Sequence, residues 1–186
     1  MSGARALTVF VCGPLTEALN GQELDEELRG LLELIHETLE RGRMTVLSAH
    51  RDERWGEDEP SPEVIAERDL EWMQACDATV MVLATPSRPI WRTDGTFVEL
   101  GWATALGKPV VVIGDLGAYR SALVRGLPSV SSGIRILPSQ DVCAHPEVLL
   151  PILGQAVSAP CITSVAGRPE VVSGPAVEPF PTGLPA

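Results

Sequence analysis

The chain has 186 residues, with 25 Asp and Glu against 14 Lys and Arg and a formal net charge of −11. That length fits one domain with a proper core, and the acidic excess opposes any extended nucleic-acid interface, which is held by many cationic contacts to phosphate. A small anionic ligand remains open to it, because a few arginines or one helix N-terminus bind phosphate locally. No apolar run approaches the roughly 20 residues that cross a bilayer, and MSGARALTVFVCGP leads straight into a strand pattern without a signal peptide. Cys12, Cys76, Cys143 and Cys161 show neither pairing nor metal-ligand spacing, and His36, His50 and His145 are scattered. These features predict a cytoplasmic protein with reduced thiols, no membrane association, and no metal or organic cofactor.

Leu7 to Cys12 is an apolar run ended by Gly13-Pro14, the pattern of a buried first strand. Gln22 to Arg41 is an amphipathic helix with Leu24, Leu28, Leu31, Leu32, Ile35 and Leu39 on one side, stopped at Gly42. Met44 to Leu47 is a second strand. The polar stretch SAHRDERWGEDEP, Ser48 to Pro60, is too long for a simple connector. Ser61-Pro62 then opens a helix with an N-cap and a proline at its first position. Ala78 to Leu83 reads as the third strand, Val110 to Ile113 as the fourth and Ile134 to Leu137 as the fifth. Short helices are predicted over Tyr119 to Arg125 and Pro146 to Val157.

Strands that alternate with helices and are themselves continuously apolar imply an α/β fold, a five-stranded parallel sheet with helices on both faces. The loops that start at Gly13, Ser48, Thr85 and Gly114 should then share one mouth at the carboxyl ends of the strands. Residues 1–158 form the single predicted domain. Residues 159–186 change character, with six prolines and three glycines and little charge, and are predicted to be a disordered tail.

Two acids break the local pattern. On the wheel of the Ser61-Pro62 helix, Asp69 falls at the centre of the face shared by Ile65, Trp72, Met73 and Cys76, whereas Glu67, Arg68, Glu71 and Gln74 fall on the other side. Either it accepts bonds from a neighbouring loop or it marks a site, since breaks of this kind concentrate where function resides. Glu99 lies in a helix entered through Asp94-Gly95-Thr96 and apolar from Phe97 to Leu106. Thr96-Phe97-Val98-Glu99 fits a capping box; alternatively, the helix N-terminus keeps Glu99 ionised for chemistry. Two carboxylates near one cleft suit a nucleophile and a general acid, and cleavage of a glycosidic bond is the leading example. On this reading Glu99 is the anionic partner, and Asp69, in the more apolar setting, holds the proton. Spacing alone leaves a covalent route and direct attack by water equally open.

The motifs Val9-Phe10-Val11-Cys12-Gly13-Pro14, Glu67-Arg68-Asp69-Leu70-Glu71-Trp72-Met73-Gln74 and Asp94-Gly95-Thr96-Phe97-Val98-Glu99-Leu100-Gly101 together resemble the nucleoside 2-deoxyribosyltransferase superfamily. The resemblance runs from about Thr8 to Leu137. It is strongest to the nucleotide-cleaving branch of 2′-deoxynucleoside 5′-phosphate N-hydrolases and CMP or hydroxymethyl-CMP N-glycosidases. It implies Glu99 as the nucleophile on the anomeric carbon and Asp69 as the general acid toward the base. It also implies substrate contacts from Phe10, Gly13, His50, Arg51, Thr93, Asp94 and Gly95. Phe10 would line the sugar, or is an ordinary core aromatic. Thr93 stands where nucleotide hydrolases carry a phosphate-binding serine, and Asp94 beside it resembles the transferases, which act on free nucleosides. Ser121 matches a serine that reaches the phosphate in the neighbouring subunit's site, which implies a homodimer. The first loop carries Leu15-Thr16-Glu17 where such hydrolases offer arginine or paired glycines. Arg88, Trp91 and Arg92 would replace that cation and stack a base, or form a solvated lid. Arg51 would be a contact or a surface charge.

Overall fold

The computed structural model describes residues 5–20, 23–58 and 60–158. In chain order its main elements are Thr8–Cys12 (β1), Leu19–Asn20 (β2), Glu23–Leu24 (β3), Glu26–Arg41 (α1), Thr45–Ser48 (β4), Ala49–Asp52 (α2), Pro62–Ala75 (α3), Ala78–Val82 (β5), Asp94–Ala105 (α4), Val110–Ile113 (β6), Ala122–Val130 (α5), Ile134–Leu137 (β7), Ser139–Ala144 (α6) and Leu149–Ser158 (α7). Five of the strands form one parallel sheet in the order β4-β1-β5-β6-β7. This is the predicted α/β fold.

Strand alternation divides the core between the two faces. Val9 and Val11 of β1 pack with Leu28, Leu32, Ile35 and Leu39 of α1 and with Leu149 and Leu153 of α7. Phe10 and Cys12 point the opposite way, into the layer of Met73 from α3 and Leu100 and Ala103 from α4. The chain leaves β1 for β4 on one side and β5 on the other. That reversal of strand order opens a crevice beyond the carboxyl end of β1.

Several local readings change. The helix predicted from Gln22 begins at Glu26, capped by Asp25, which accepts from the Leu28 amide at 3.0 Å. Ahead of it, β2 and β3 pair antiparallel. The polar stretch after β4 contains α2, capped by Ser48. The helix predicted over Tyr119–Arg125 lies at Ala122–Val130 and tolerates Pro128 in its interior. Helix α6 was not predicted. The tail predicted over residues 159–186 lies outside the described residues. Among the described residues no helix is long and apolar enough to cross a membrane.

Candidate active site

The four loops expected at one mouth divide between two cavities. Residues after β1 and β4 line one, a cleft of about 160 Å³, together with α3 and the start of α4. The loop at Gly114 lines another with Thr85, Pro86 and Pro138. The first holds both acids singled out in the sequence.

Glu99 reaches this cleft from α4. Thr93 is the N-cap of that helix: its hydroxyl accepts from the Thr96 amide at 3.3 Å and donates to the Thr96 hydroxyl at 2.7 Å. The helix therefore starts three residues before the predicted capping box, and Glu99 stands in its second turn, beyond the free backbone N–H groups of the N-terminus. Neither the box nor the proposed ionisation by those groups applies. Glu99 is 9% exposed; burial first, and then the negative charge of Asp69, push its carboxyl up to about 8 against the opposing bond with the Cys12 thiol.

Asp69 comes from α3 and is 7% exposed. Burial raises its pKa, opposed by the Arg68 guanidinium, whose Nε donates to Asp69 Oδ1 at 2.9 Å. Arg68 is not on the opposite, solvated side of α3, because its side chain folds back along the helix. Nη1 donates to Asp52 at 2.9 Å and Nη2 to Glu53 at 2.6 Å, and the guanidinium lies over Trp72, 4.9 Å from the ring centre. Burial raises both carboxyls, but the cation sits beside Asp69.

The cleft floor is the end of β1. Cys12 and Gly13 line it, with His50 and Glu53 on one side and Thr93, Gly95 and Thr96 on the other. His50 is 1% exposed, and its Nε2 donates to the Pro14 carbonyl at 3.1 Å. Burial lowers its pKa to about 4, so it is neutral near pH 7 and its Nδ1 is an acceptor. Nδ1 has no protein partner among the described residues.

Of the predicted contacts, Gly13, His50, Thr93 and Gly95 meet in this cleft with Glu99 and Asp69. Four others do not line it. Phe10 is fully buried beneath it and packs edge-on against Trp72, with centroids 5.6 Å apart. Arg51 pairs with Glu40 at the surface. Asp94, the first residue of α4, is exposed. Ser121 caps α5 by accepting from the Val124 amide at 3.3 Å and is also exposed.

In the Thr85 segment the arginines are exposed, and the tryptophan is not free to stack a base. Trp91 is 1% exposed and belongs to the α1-side core. The Arg88 guanidinium covers its ring at 3.7 Å. Tyr119 donates to the Leu83 and Trp91 carbonyls, and Glu27 receives Thr85 and Ser87. Arg92 is exposed and does not line the cleft.

Cys12, Glu53, Arg68 and Thr96 are site residues that the sequence reading passed over. Cys12 was readable from alternation along β1, which puts it on the same face as α3 and α4. Arg68 was not, since adjacent positions on a helix do not face each other and only its length lets it turn back. Among the described residues no group of three or more His, Cys, Asp or Glu is placed to hold a metal ion.

Comparison with known proteins places this geometry in a family. A 5-hydroxymethyl-dUMP N-hydrolase of Mus musculus is 30% identical over 121 residues, which are 64% of this chain and 65% of that relative, just under two thirds of its length. The solution structure of BlsM superposes with a TM-score of 0.66 at 25% identity, covering 82% of this chain and 93% of that one. The structure of the Clostridium botulinum CMP N-glycosidase BcmB shares the fold, with a TM-score of 0.54 at 21% identity over 76% of this chain and 98% of its own. The family model described as nucleoside 2-deoxyribosyltransferase matches residues 9–129, and the chain belongs to that family.

Proposed function

We propose that the protein is an N-glycosidase that hydrolyses the base–sugar bond of a nucleoside 5′-monophosphate, with a CMP-like pyrimidine nucleotide as the preferred substrate, and releases free base and sugar 5-phosphate. The observation that carries this reading is that Glu99 and Asp69, buried carboxylates from two different helices, line one cleft into which the N-terminus of α4 also opens. Glu99 attacks the anomeric carbon as the bond to the base nitrogen breaks, and the departing electron pair takes a proton from Asp69. Water then cleaves the glycosyl–Glu99 ester and returns a proton to Asp69. Attack requires Glu99 ionised and Asp69 protonated, whereas burial and the Asp69 charge raise the Glu99 carboxyl in the substrate-free site.

The start of α4 suits the 5′-phosphate: its backbone N–H groups and the Thr96 hydroxyl, which accepts from Thr93, supply donors without a full cation. The mouse relative, whose name specifies a nucleotide, supports a phosphorylated substrate. Ser121 would complete the phosphate site from a second copy in a homodimer. Helix α5, which it caps, buries none of its own residues, and Leu123 is 79% exposed. In this reading residues 1–158 are the catalytic domain, residues 159–186 a separate tail, and the setting is cytoplasmic.

A second reading, a transferase that moves deoxyribose between bases through the same Glu99 intermediate, is favoured by one feature: among the described residues neither Lys nor Arg lines the cleft, which suits an uncharged nucleoside. A non-catalytic nucleotide-binding module is the third, though binding alone does not require a carboxylate at the anomeric carbon. A chromatographic assay separates the three. Purified protein is incubated with CMP, dCMP, the other monophosphates and their nucleosides, with and without a second free base. The hydrolase releases base from a monophosphate without acceptor. A new nucleoside formed only with acceptor identifies the transferase, and binding without turnover identifies the module.

A further inference from the structure

We propose that Arg68 is a positioning residue whose guanidinium fixes the orientation and the charge of Asp69 by binding three acids at once. The inference rests on the reading of Asp69 as the general acid.

The geometry is specific. Arg68 uses Nε for Asp69 at 2.9 Å, Nη1 for Asp52 at 2.9 Å and Nη2 for Glu53 at 2.6 Å. Its side chain is 12% exposed, against 10% for Asp69 and 7% for Glu53, whereas Asp52 is 53% exposed. Two of the three acids face the cleft, and the third anchors the far edge of the guanidinium toward solvent. The contact with the Trp72 ring sets the plane of the fork. An ammonium group has no planar fork and cannot meet three acids in this arrangement.

The surroundings of Asp69 make this cation consequential. From α3 it is met by Arg68, from α2 and the residue after it by Asp52 and Glu53, from α4 by Glu99 and from β1 by the Cys12 thiol; neutral His50 lines the same cleft. Asp52 and Glu99 are acids, and Arg68 is the cation bonded to Asp69. A buried carboxylate among other acids protonates in the absence of such a partner. With Arg68 present, the upward push of burial on the Asp69 carboxyl is opposed by a bonded opposite charge. Without it, Asp69 would hold its proton to higher pH and its carboxyl would lose the bond that orients it in the cleft.

The test reads the carboxyl group first and turnover second. Asp69 is followed by carbon NMR in substrate-free protein labelled at aspartate carboxyls, with Asp69→Asn identifying its signal and thermal melting confirming the fold. Arg68→Met should raise the Asp69 titration midpoint by about 1 to 3 pH units, the usual effect of losing an adjacent opposite charge. In the base-release assay kcat should fall by about tenfold or more at every pH, through loss of the bond that orients the acid, while KM changes little. Arg68→Lys, which keeps the charge but loses the fork, should restore most of the midpoint and only part of kcat. If Arg68→Met does not fold, Arg68→Gln, which keeps a planar donor over Trp72, is read in the same way. An unchanged Asp69 midpoint in a folded variant that lacks the charge overturns the proposal, as does Arg68→Lys with full kcat. If the wild-type protein releases no base from any nucleotide or nucleoside, the glycosidase reading falls, while the carboxyl titration still decides what Arg68 does.

Discussion

The two walls of the cleft treat a carboxylate in opposite ways. On α3, Asp69 is bonded to Arg68 and has its charge supported. On α4, Glu99 has a thiol from Cys12 for company and feels Asp69 as a repelling neighbour. Both are nearly closed off from solvent, at 7% and 9% exposure, and burial is the first cause that raises each carboxyl, with Glu99 the more deeply enclosed of the two. The partners add to that difference, because an ion in a poorly solvated place also depends on the nearest group able to replace water.

Glu99→Gln gives the largest break in this contrast. It removes the proposed nucleophile and should lower base release by about a thousandfold or more, measured by chromatography under saturating substrate. Asp69→Asn comes next. Loss of the general acid should reduce kcat by about 10² to 10⁴, and loss of its negative charge should lower the titration midpoint of Glu99, read by carboxyl NMR.

The pH dependence of stability sharpens the comparison without any substrate. Glu99 titrates near 8 in the folded chain against 4.5 for an ordinary glutamate. Between those values the unfolded chain has released the proton and the folded chain still holds it, so the unfolded state binds fewer protons and stability falls as pH rises. Glu99 thus contributes full stability below about pH 4.5 and loses it progressively as pH climbs to about 8. Melting temperatures across that range should decline less steeply in Glu99→Gln than in the wild type. The smallest effect is at the cap of α4. Thr93→Ala should cost about 1 kcal/mol, or about 2 to 4 °C in melting temperature, and should raise KM for a monophosphate through the loss of one hydroxyl at the helix start.

The fold was legible because its signals are long-range and redundant. Continuous apolar strands separated by amphipathic helices admit few arrangements besides a covered parallel sheet, and β1, β5 and β6 each read that way. The acids were legible as violations: Asp69 interrupts an apolar face, and Glu99 sits in a helix that is otherwise small and apolar. Their protonation was not, because it depends on contacts between elements. The start of α4 was misjudged by three residues because Thr93 and Thr96 are both competent caps, and only the path of the preceding chain selects Thr93. That choice carried Glu99 into the second turn. Arg68 read as a surface charge because helical periodicity describes where a side chain leaves the backbone, whereas a long side chain ends elsewhere. Phe10 and Trp91 illustrate the reverse case, aromatics in motif segments that were given a substrate to touch and are used to fill the core.

The central claim, that Glu99 forms a bond to the sugar while Asp69 serves the base, is tested most directly by mass spectrometry of protein quenched in acid during turnover of a nucleoside monophosphate. The account predicts an added mass equal to one sugar phosphate on the peptide containing Glu99. The adduct should be absent from Glu99→Gln and should persist when the second free base is withheld. Normal base release by Glu99→Gln, or an adduct located on another residue, would contradict it.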